Sequence, residues 1–77
     1  MKILEDILFV DDSEAIITEM KNILEETNHK MVVARDGGQG LAELAIKKFD
    51  IVIADLNLPR MDGLTMIEFY LKLNSFN

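Results

Sequence analysis

The sequence predicts a small α/β domain built on a parallel β-sheet. Three short apolar segments alternate with three longer segments in which apolar residues recur every three or four positions. The short segments are rich in β-branched residues, which is typical of buried strands, and the longer segments are typical of amphipathic helices. Because strands that alternate with helices are joined by crossovers, we expect parallel strands with helices on both faces of the sheet.

The first strand and helix are predicted from the N-terminal third of the chain. The strand covers Ile3–Val10, which is apolar apart from two acids and stops at Asp11 and Asp12. Ser13 is a suitable N-cap for a helix of roughly 14 residues that ends near Asn28. The residues expected to face the sheet are Ile16, Met20, Ile23, Leu24 and Thr27.

The second strand and helix follow a similar pattern. Met31–Arg35 is a short apolar strand, and Asp36, Gly37 and Gly38 are expected to form a turn before the helix. The apolar face of that helix is predicted to contain Leu41, Leu44, Ala45 and Phe49.

The last strand and helix are separated by a loop that contains the only proline, Pro59. The strand, Asp50–Asp55, has four apolar residues between two acids, which predicts burial on both faces. Asp62 is the expected N-cap of a helix over Leu64–Leu73. Its inward residues are predicted to be Leu64, Ile67 and Tyr70, with Met66 as a further candidate. Further apolar surface comes from Phe69, Leu71, Leu73 and Phe76, which indicates either a helix that is slightly rotated or wholly packed, or an interaction surface.

Composition excludes several classes of protein. A chain of 77 residues with 49% hydrophobic and 29% charged residues is a single folding unit, and without cysteine it has no disulfide framework or thiolate chemistry. No apolar run approaches the roughly 18 residues of a membrane helix, and acids interrupt the N-terminal segment, so we expect a cytoplasmic protein. The net charge of −6 argues against direct binding to nucleic acid and favours cations or basic partners.

Acids stand at the ends of two predicted strands. Asp11 and Asp12 end the first strand and Asp55 ends the third, so the three carboxylates converge if those strands are neighbours. An all-oxygen cluster without histidine or cysteine favours a hard cation such as Mg²⁺. The alternative is that these acids are ordinary helix-start and turn residues.

Three segments together resemble the bacterial response-regulator receiver domain, a CheY-like family with a flavodoxin-like fold. They are Leu8–Ser13 (LFVDDS), Ala34–Leu41 (ARDGGQGL) and Asp50–Gly63 (DIVIADLNLPRMDG). The resemblance implies the strand order 2-1-3 and β-α-β-α-β-α topology, and it implies two-component phosphorelay signalling with a histidine kinase or phosphotransfer protein as partner.

The resemblance also implies roles for individual residues. Asp55 corresponds to the phosphoacceptor and Asp12 to the carboxylate that binds Mg²⁺. Asp11 corresponds to the second acid, which usually acts through water, and the backbone carbonyl of Asn57 completes the metal ligands of the protein. The chain is then expected to be a signalling module and not an enzyme.

The family continues beyond the third helix with two more strands and two more helices. The resemblance therefore predicts that residues 1–77 form a single, partial receiver domain without the switch half, which supplies a Ser or Thr and a Lys. An alternative is an interaction protein or self-assembling half-domain in which the acidic pocket is a relic. A Mg²⁺-dependent phosphohydrolase is disfavoured, because Asp55 is followed by Leu56 and Asn57 with no general acid or base.

Self-assembly is a further expectation. In the order 2-1-3 the third strand lies at an edge of the sheet, and Ile51–Ala54 contains none of the lysine, proline or inward charge that blunts edges. We therefore expect a homodimer or pairing with a complementary half-domain, through this strand in preference to the last helix.

Overall fold

The computed structural model describes residues 4–58 and 61–74 and contains the strands and helices in the predicted order. The elements are β1 (Asp6–Val10), α1 (Glu14–Glu25), β2 (Lys30–Ala34), α2 (Gly37–Ile46), β3 (Ile51–Ala54) and α3 (Gly63–Asn74). The predicted α/β class and β-α-β-α-β-α topology are confirmed. The start of the first predicted strand at Ile3 lies outside the described residues, as do Pro59 and Phe76.

The sheet is parallel and has the predicted order, with β1 between β2 and β3. Val10, the last residue of β1, is in register with Ala34 of β2 and with Ala54 of β3. The three strands therefore end at the same level. As a result, the residues that follow them lie together at the carboxyl ends of the strands, which is where ligands bind in open α/β folds.

The core lies mainly on one face of the sheet. Leu8 and Val10 are fully buried there and form a cluster with Ala34, Leu58 and Met66. Side chains alternate between the faces of a strand, so Ile7 and Phe9 point to the opposite face, and both are buried. Helix α2 packs against β1, β2 and α3, whereas α1 packs against β2. The two faces of the sheet are therefore covered unequally.

The predicted inward stripe of α1 is partly wrong. The residue that is buried is Ile17, at 1% exposure, whereas Ile16 and Ile23 are 45% and 64% exposed. Met20 and Leu24 are half-buried as predicted, but the helix ends at Glu25, so Thr27 lies beyond it. The apolar residues of α1 form two overlapping stripes that share Met20. The stripe that begins at Ile17 is the one that faces the sheet.

Two further predictions of burial need correction. In β3, Ile51, Val52 and Ile53 are exposed to about two-fifths, because the strand has a neighbour only on its β1 side among the described residues. In α3, Leu64 is 58% exposed and Ile67 is also exposed, whereas Met66 is completely buried. The exposed apolar residues of this helix are Leu64, Ile67, Phe69, Leu71 and Leu73.

Helix α2 begins earlier than predicted. Gly37 and Gly38 form its first turn, and Asp36 is the N-cap, with its side chain accepting a hydrogen bond from the backbone N–H of Gln39. Phe49 lies after the helix, although it does pack against the core, and Ala45 is exposed. An acid followed by two glycines resembles a turn in sequence, but here the acid caps a helix.

His29 has a structural role at the other end of the sheet. It is half-buried, and its Nδ1 accepts a hydrogen bond of 2.8 Å from the backbone N–H of Glu5. The backbone N–H of Lys30 donates to the carbonyl of Glu5. These two bonds fix the start of β1 beside the start of β2. Within residues 4–58 and 61–74, no helix has the length and apolar composition of a membrane-spanning segment.

Candidate metal centre

Three carboxylates meet where β1 and β3 end. Asp11, Asp12 and Asp55 each offer an oxygen, and these oxygens all lie within 4.8 Å of one another. Asp11 and Asp55 are half-buried and Asp12 is exposed. Two like charges about 4 Å apart repel by roughly 1 kcal/mol in water and by about 4 kcal/mol at the effective dielectric of a protein surface. A cation at this point would replace that repulsion with attraction.

Backbone hydrogen bonds orient two of the three acids. Asp11 Oδ1 accepts from the N–H of Ser13, and Asp55 Oδ1 accepts from the N–H of Asn57, each at 2.9 Å. The backbone N–H of Asp55 donates to the carbonyl of Val10, which ties the end of β3 to the end of β1. In both side chains the backbone thus fixes the position of one carboxylate oxygen.

The loop after Asp55 is anchored in the core. Leu58 is buried and Met61 is half-buried, and both pack with the residues beneath α3. At the end of the loop, the N–H of Gly63 donates to the carbonyl of Asp55 at 3.1 Å. A Cβ at Gly63 would lie 2.6 Å from that oxygen, so only glycine allows the helix to begin so close to the acid.

Asp62 is the N-cap of α3, as predicted. Its Oδ1 accepts a hydrogen bond of 2.8 Å from the backbone N–H of Thr65. The backbone and side-chain hydrogen bonds of Thr65 hold the pKa of Asp62 below its ordinary value of 3.8. Its carboxylate therefore stabilises the fold above pH 3.8, and this contribution is lost as the pH falls through the lowered pKa.

The donor set fits a hard divalent cation. It consists of carboxylate oxygens, with the carbonyl of Asn57 two residues after Asp55 as a further oxygen donor in the chain. Mg²⁺ prefers a few such oxygens and completes its shell with water and phosphate oxygens. Of the four residues that the resemblance assigns to the metal site, the structure brings the three acids together and places Asn57 in the turn that holds Asp55.

One contact of the site has no counterpart in the sequence analysis. The carbonyl of Met61 accepts a hydrogen bond of 2.8 Å from the backbone N–H of Gly37, at the start of α2. A backbone contact of this kind leaves no side-chain signal. The feature of the sequence that could have pointed to it is a glycine in the first turn of a helix, where most other residues would be better helix formers.

Comparison with known proteins assigns the chain to a family. The response regulator receiver domain matches residues 7–74, which include all the acids of the site. The chain belongs to this family. Receiver domains are modules of two-component signalling, and they generally act as signalling modules and not as enzymes.

Two of the similar proteins share more than a third of the aligned residues with this chain. The alkaline phosphatase synthesis transcriptional regulatory protein PhoP of Bacillus subtilis is 36% identical over 58 residues, which are 75% of this chain and 24% of PhoP. Protein-glutamate methylesterase/protein-glutamine glutaminase 6 of Anaeromyxobacter dehalogenans is 43% identical over 63 residues, 79% of this chain and 18% of that protein. The chain thus spans a quarter or less of these relatives.

Solved receiver structures match the fold closely. The CheY-like receiver domain protein of Methanospirillum hungatei superposes with a TM-score of 0.83 at 36% identity, covering 94% of this chain and 58% of that one. The Francisella response regulator 1452 receiver domain gives the same TM-score at 27% identity, covering 91% of this chain and 58% of the other. The receiver chain therefore spans rather more than half of these structures.

Proposed function

We propose that this receiver accepts a phosphoryl group on Asp55 with the help of Mg²⁺. In the proposal Asp12, Asp55 and the carbonyl of Asn57 bind the ion directly, and Asp11 acts through a bound water. The observation that carries the proposal is the convergence of three carboxylates from two strand ends in a chain of the receiver family. The proposal includes a cytoplasmic location.

Phosphoryl transfer requires that one oxygen of Asp55 attack the phosphorus atom of the donor. Oδ1 is engaged by the N–H of Asn57, so Oδ2 is the nucleophile. It attacks the phosphorus of the donor, the bond from phosphorus to the leaving group breaks, and an acyl phosphate forms on the side chain. Mg²⁺, when bound, supplies the positive charge that allows an anionic carboxylate to approach an anionic phosphoryl group.

Receiver domains take phosphoryl groups from histidine kinases or phosphotransfer proteins, and we propose a partner of this type here. The test of the function is phosphoryl transfer from a small-molecule phosphodonor in the presence of Mg²⁺, read as a mass increase of the intact chain. A chain that binds Mg²⁺ but takes up no label would instead support the interaction-protein alternative, in which the acidic pocket is a relic.

Mg²⁺ is expected to bind in the millimolar range, as judged by titration with amide chemical shifts as the readout. The largest changes should occur at Asp12, Asp55 and Asn57. Asp12→Asn should weaken binding roughly tenfold or more, because the loss of one charge beside the ion costs more than about 1.4 kcal/mol. Glu19→Gln removes the same charge from the exposed surface of α1 and should leave the affinity unchanged. Equal effects of the two substitutions would contradict the assignment.

We also propose that β3 pairs with β3 of a second copy. The outer edge of this strand has no partner among the described residues, and its side chains are exposed on both faces of the sheet. A two-fold axis perpendicular to the sheet and midway between the Val52 residues of the two copies would pair Ile51 of each copy with Ile53 of the other. Every cross-strand pair over these three positions is then apolar, and Asp55 does not meet its own copy.

A dimer that is stable at micromolar concentration is expected in sedimentation experiments. Ile53→Lys should convert it to a monomer, because an inward charge on an edge strand opposes pairing. Phe69→Glu places a charge on the exposed apolar side of α3 and should leave the dimer intact. If Phe69→Glu dissociates the dimer and Ile53→Lys does not, the interface is the helix; a monomeric wild-type chain would rule out both.

A further inference from the structure

The connection between β2 and α2 contacts the loop that carries the phosphoacceptor. We call residues 35–37 the β2–α2 corner. The backbone N–H of Gly37 donates to the carbonyl of Met61 at 2.8 Å, and Met61 lies in the loop between Asp55 and α3. Gly37 is buried at this contact. The loop after β3 therefore rests on the first turn of α2.

The same corner contacts the segment that carries the other two acids. The guanidinium of Arg35 forms an ion pair with Glu14, the first residue of α1, two positions after Asp12. The backbone N–H of Asp11 donates to the carbonyl of Ala34, directly before the corner, at 3.0 Å. Both acid-bearing segments are thus attached to one short piece of chain.

Hydrogen bonds also join the corner to α2. Asp36 is buried and caps α2, and the side chain of Gln39 accepts a hydrogen bond of 2.9 Å from the backbone N–H of Arg35. One turn further on, the helix lies directly against the core, where a Cβ at Gly40 would come within 2.5 Å of Met66 Sδ. Because α2 is packed against the core in this way, we expect a side chain at Gly37 to displace the loop more than the helix.

We propose that the β2–α2 corner sets the separation between the two acid-bearing segments, with Gly37 as the positioning residue of the metal site. The proposal rests on the function proposed for Asp55, and it assigns a role in metal binding to a residue that supplies no ligand. A Cβ at Gly37 would lie 2.7 Å from Met61 Cγ and closer still to the Met61 carbonyl oxygen. Any side chain at this position therefore displaces the loop.

Gly37→Ala tests the proposal through the relative affinities of two cations. Mg²⁺ requires near-octahedral oxygens at about 2.0–2.1 Å, whereas Ca²⁺ accepts irregular shells at about 2.3–2.6 Å. Displacement of the loop should weaken Mg²⁺ binding at least fivefold and Ca²⁺ binding by clearly less, with amide shifts as the readout. General destabilisation of the fold would lower both affinities by the same factor, so the Mg²⁺/Ca²⁺ ratio separates positioning from a merely structural effect.

Gly38→Ala is the matched control. Gly38 is the neighbouring glycine in the same turn of α2, and it is exposed. A Cβ at Gly38 would have one close neighbour, Asp36 Oδ1, at 3.2 Å. Both affinities should stay within twofold of the wild-type values. Equal behaviour of the two variants, or an unchanged Mg²⁺/Ca²⁺ ratio in Gly37→Ala, would overturn the proposal.

A third outcome separates this proposal from the proposed function. If the wild-type chain binds neither ion, the function proposed for the acids is wrong. The role of the corner is then tested by the amide shifts of the metal-free protein. There, Gly37→Ala should shift the amide signals of Asp55 and Asn57, and Gly38→Ala should not. If both variants leave those signals in place, the corner does not position the loop.

Discussion

Asp55→Asn is expected to abolish phosphoryl transfer to the chain completely. The amide is nearly the same size and its oxygen can still accept the hydrogen bond from the N–H of Asn57, so the turn is retained. It has no anionic oxygen to attack phosphorus, however, and the neighbouring carboxylates, Asp11 and Asp12, hold the ion in the proposed geometry. The measurement is the intact mass after treatment with a small-molecule phosphodonor and Mg²⁺, with and without a chelator.

Asp50→Asn provides the matched control for this experiment. Asp50 precedes the same strand at its other end, where its Oδ2 accepts a hydrogen bond of 2.7 Å from the backbone N–H of Asp6. The substitution removes an equal charge far from the acid cluster and should leave labelling at the wild-type level. Label that survives Asp55→Asn would show that the phosphoacceptor is a different residue.

Ile17→Ala is expected to remove most of the stability of the domain. Ile17 is the buried apolar residue of α1, and truncating a buried isoleucine to alanine costs about 2–5 kcal/mol. A core of this size rarely supplies more than about 3–5 kcal/mol in total. The expected result is a thermal midpoint lowered by at least about 10 °C, or a chain that is unfolded at room temperature, in a melt followed by circular dichroism.

Ile23→Ala makes the same substitution six positions further along the same helix, where the side chain is 64% exposed. Alanine is also the better helix former, so the change in stability should stay within about 0.5 kcal/mol. Similar losses in the two variants would mean that α1 presents a different face to the sheet from the one described. The pair therefore tests the orientation of the helix and not only its presence.

The order of elements could be predicted because each type leaves its own period in the sequence. Which side of a helix faces inward is harder, since it depends on where the sheet lies. In α1 the apolar residues form two overlapping stripes, one through Ile16 and Ile23 and one through Ile17 and Leu24, and spacing alone does not choose between them. The apolar run in β3 indicates a strand, but it does not reveal how little of that strand its neighbours cover.

Some parts of the candidate site could likewise be predicted from the sequence, and others could not. Asp11, Asp12 and Asp55 could be placed together from sequence, because carboxyl ends of parallel strands lie at one edge of the sheet. The support beneath them could not, because the bond between Gly37 and Met61 joins backbone atoms of two segments distant in sequence. The burial of Leu58, which anchors the loop after Asp55, could not be predicted for a different reason: a loop residue follows no hydrophobic period.

The position of β1 in the middle of the sheet has a consequence for how the chain folds. Its two neighbours come later in the sequence, so that Glu5 meets His29 across 24 residues and Asp6 meets Asp50 across 44. During synthesis on the ribosome, β1 is made before either neighbour. Both edges of this apolar strand stay unpaired until β2 and then β3 emerge. Pairing over such distances is slow compared with local helix formation, so the nascent chain passes through an interval in which the strand that is most buried in the folded domain is open to association with other chains.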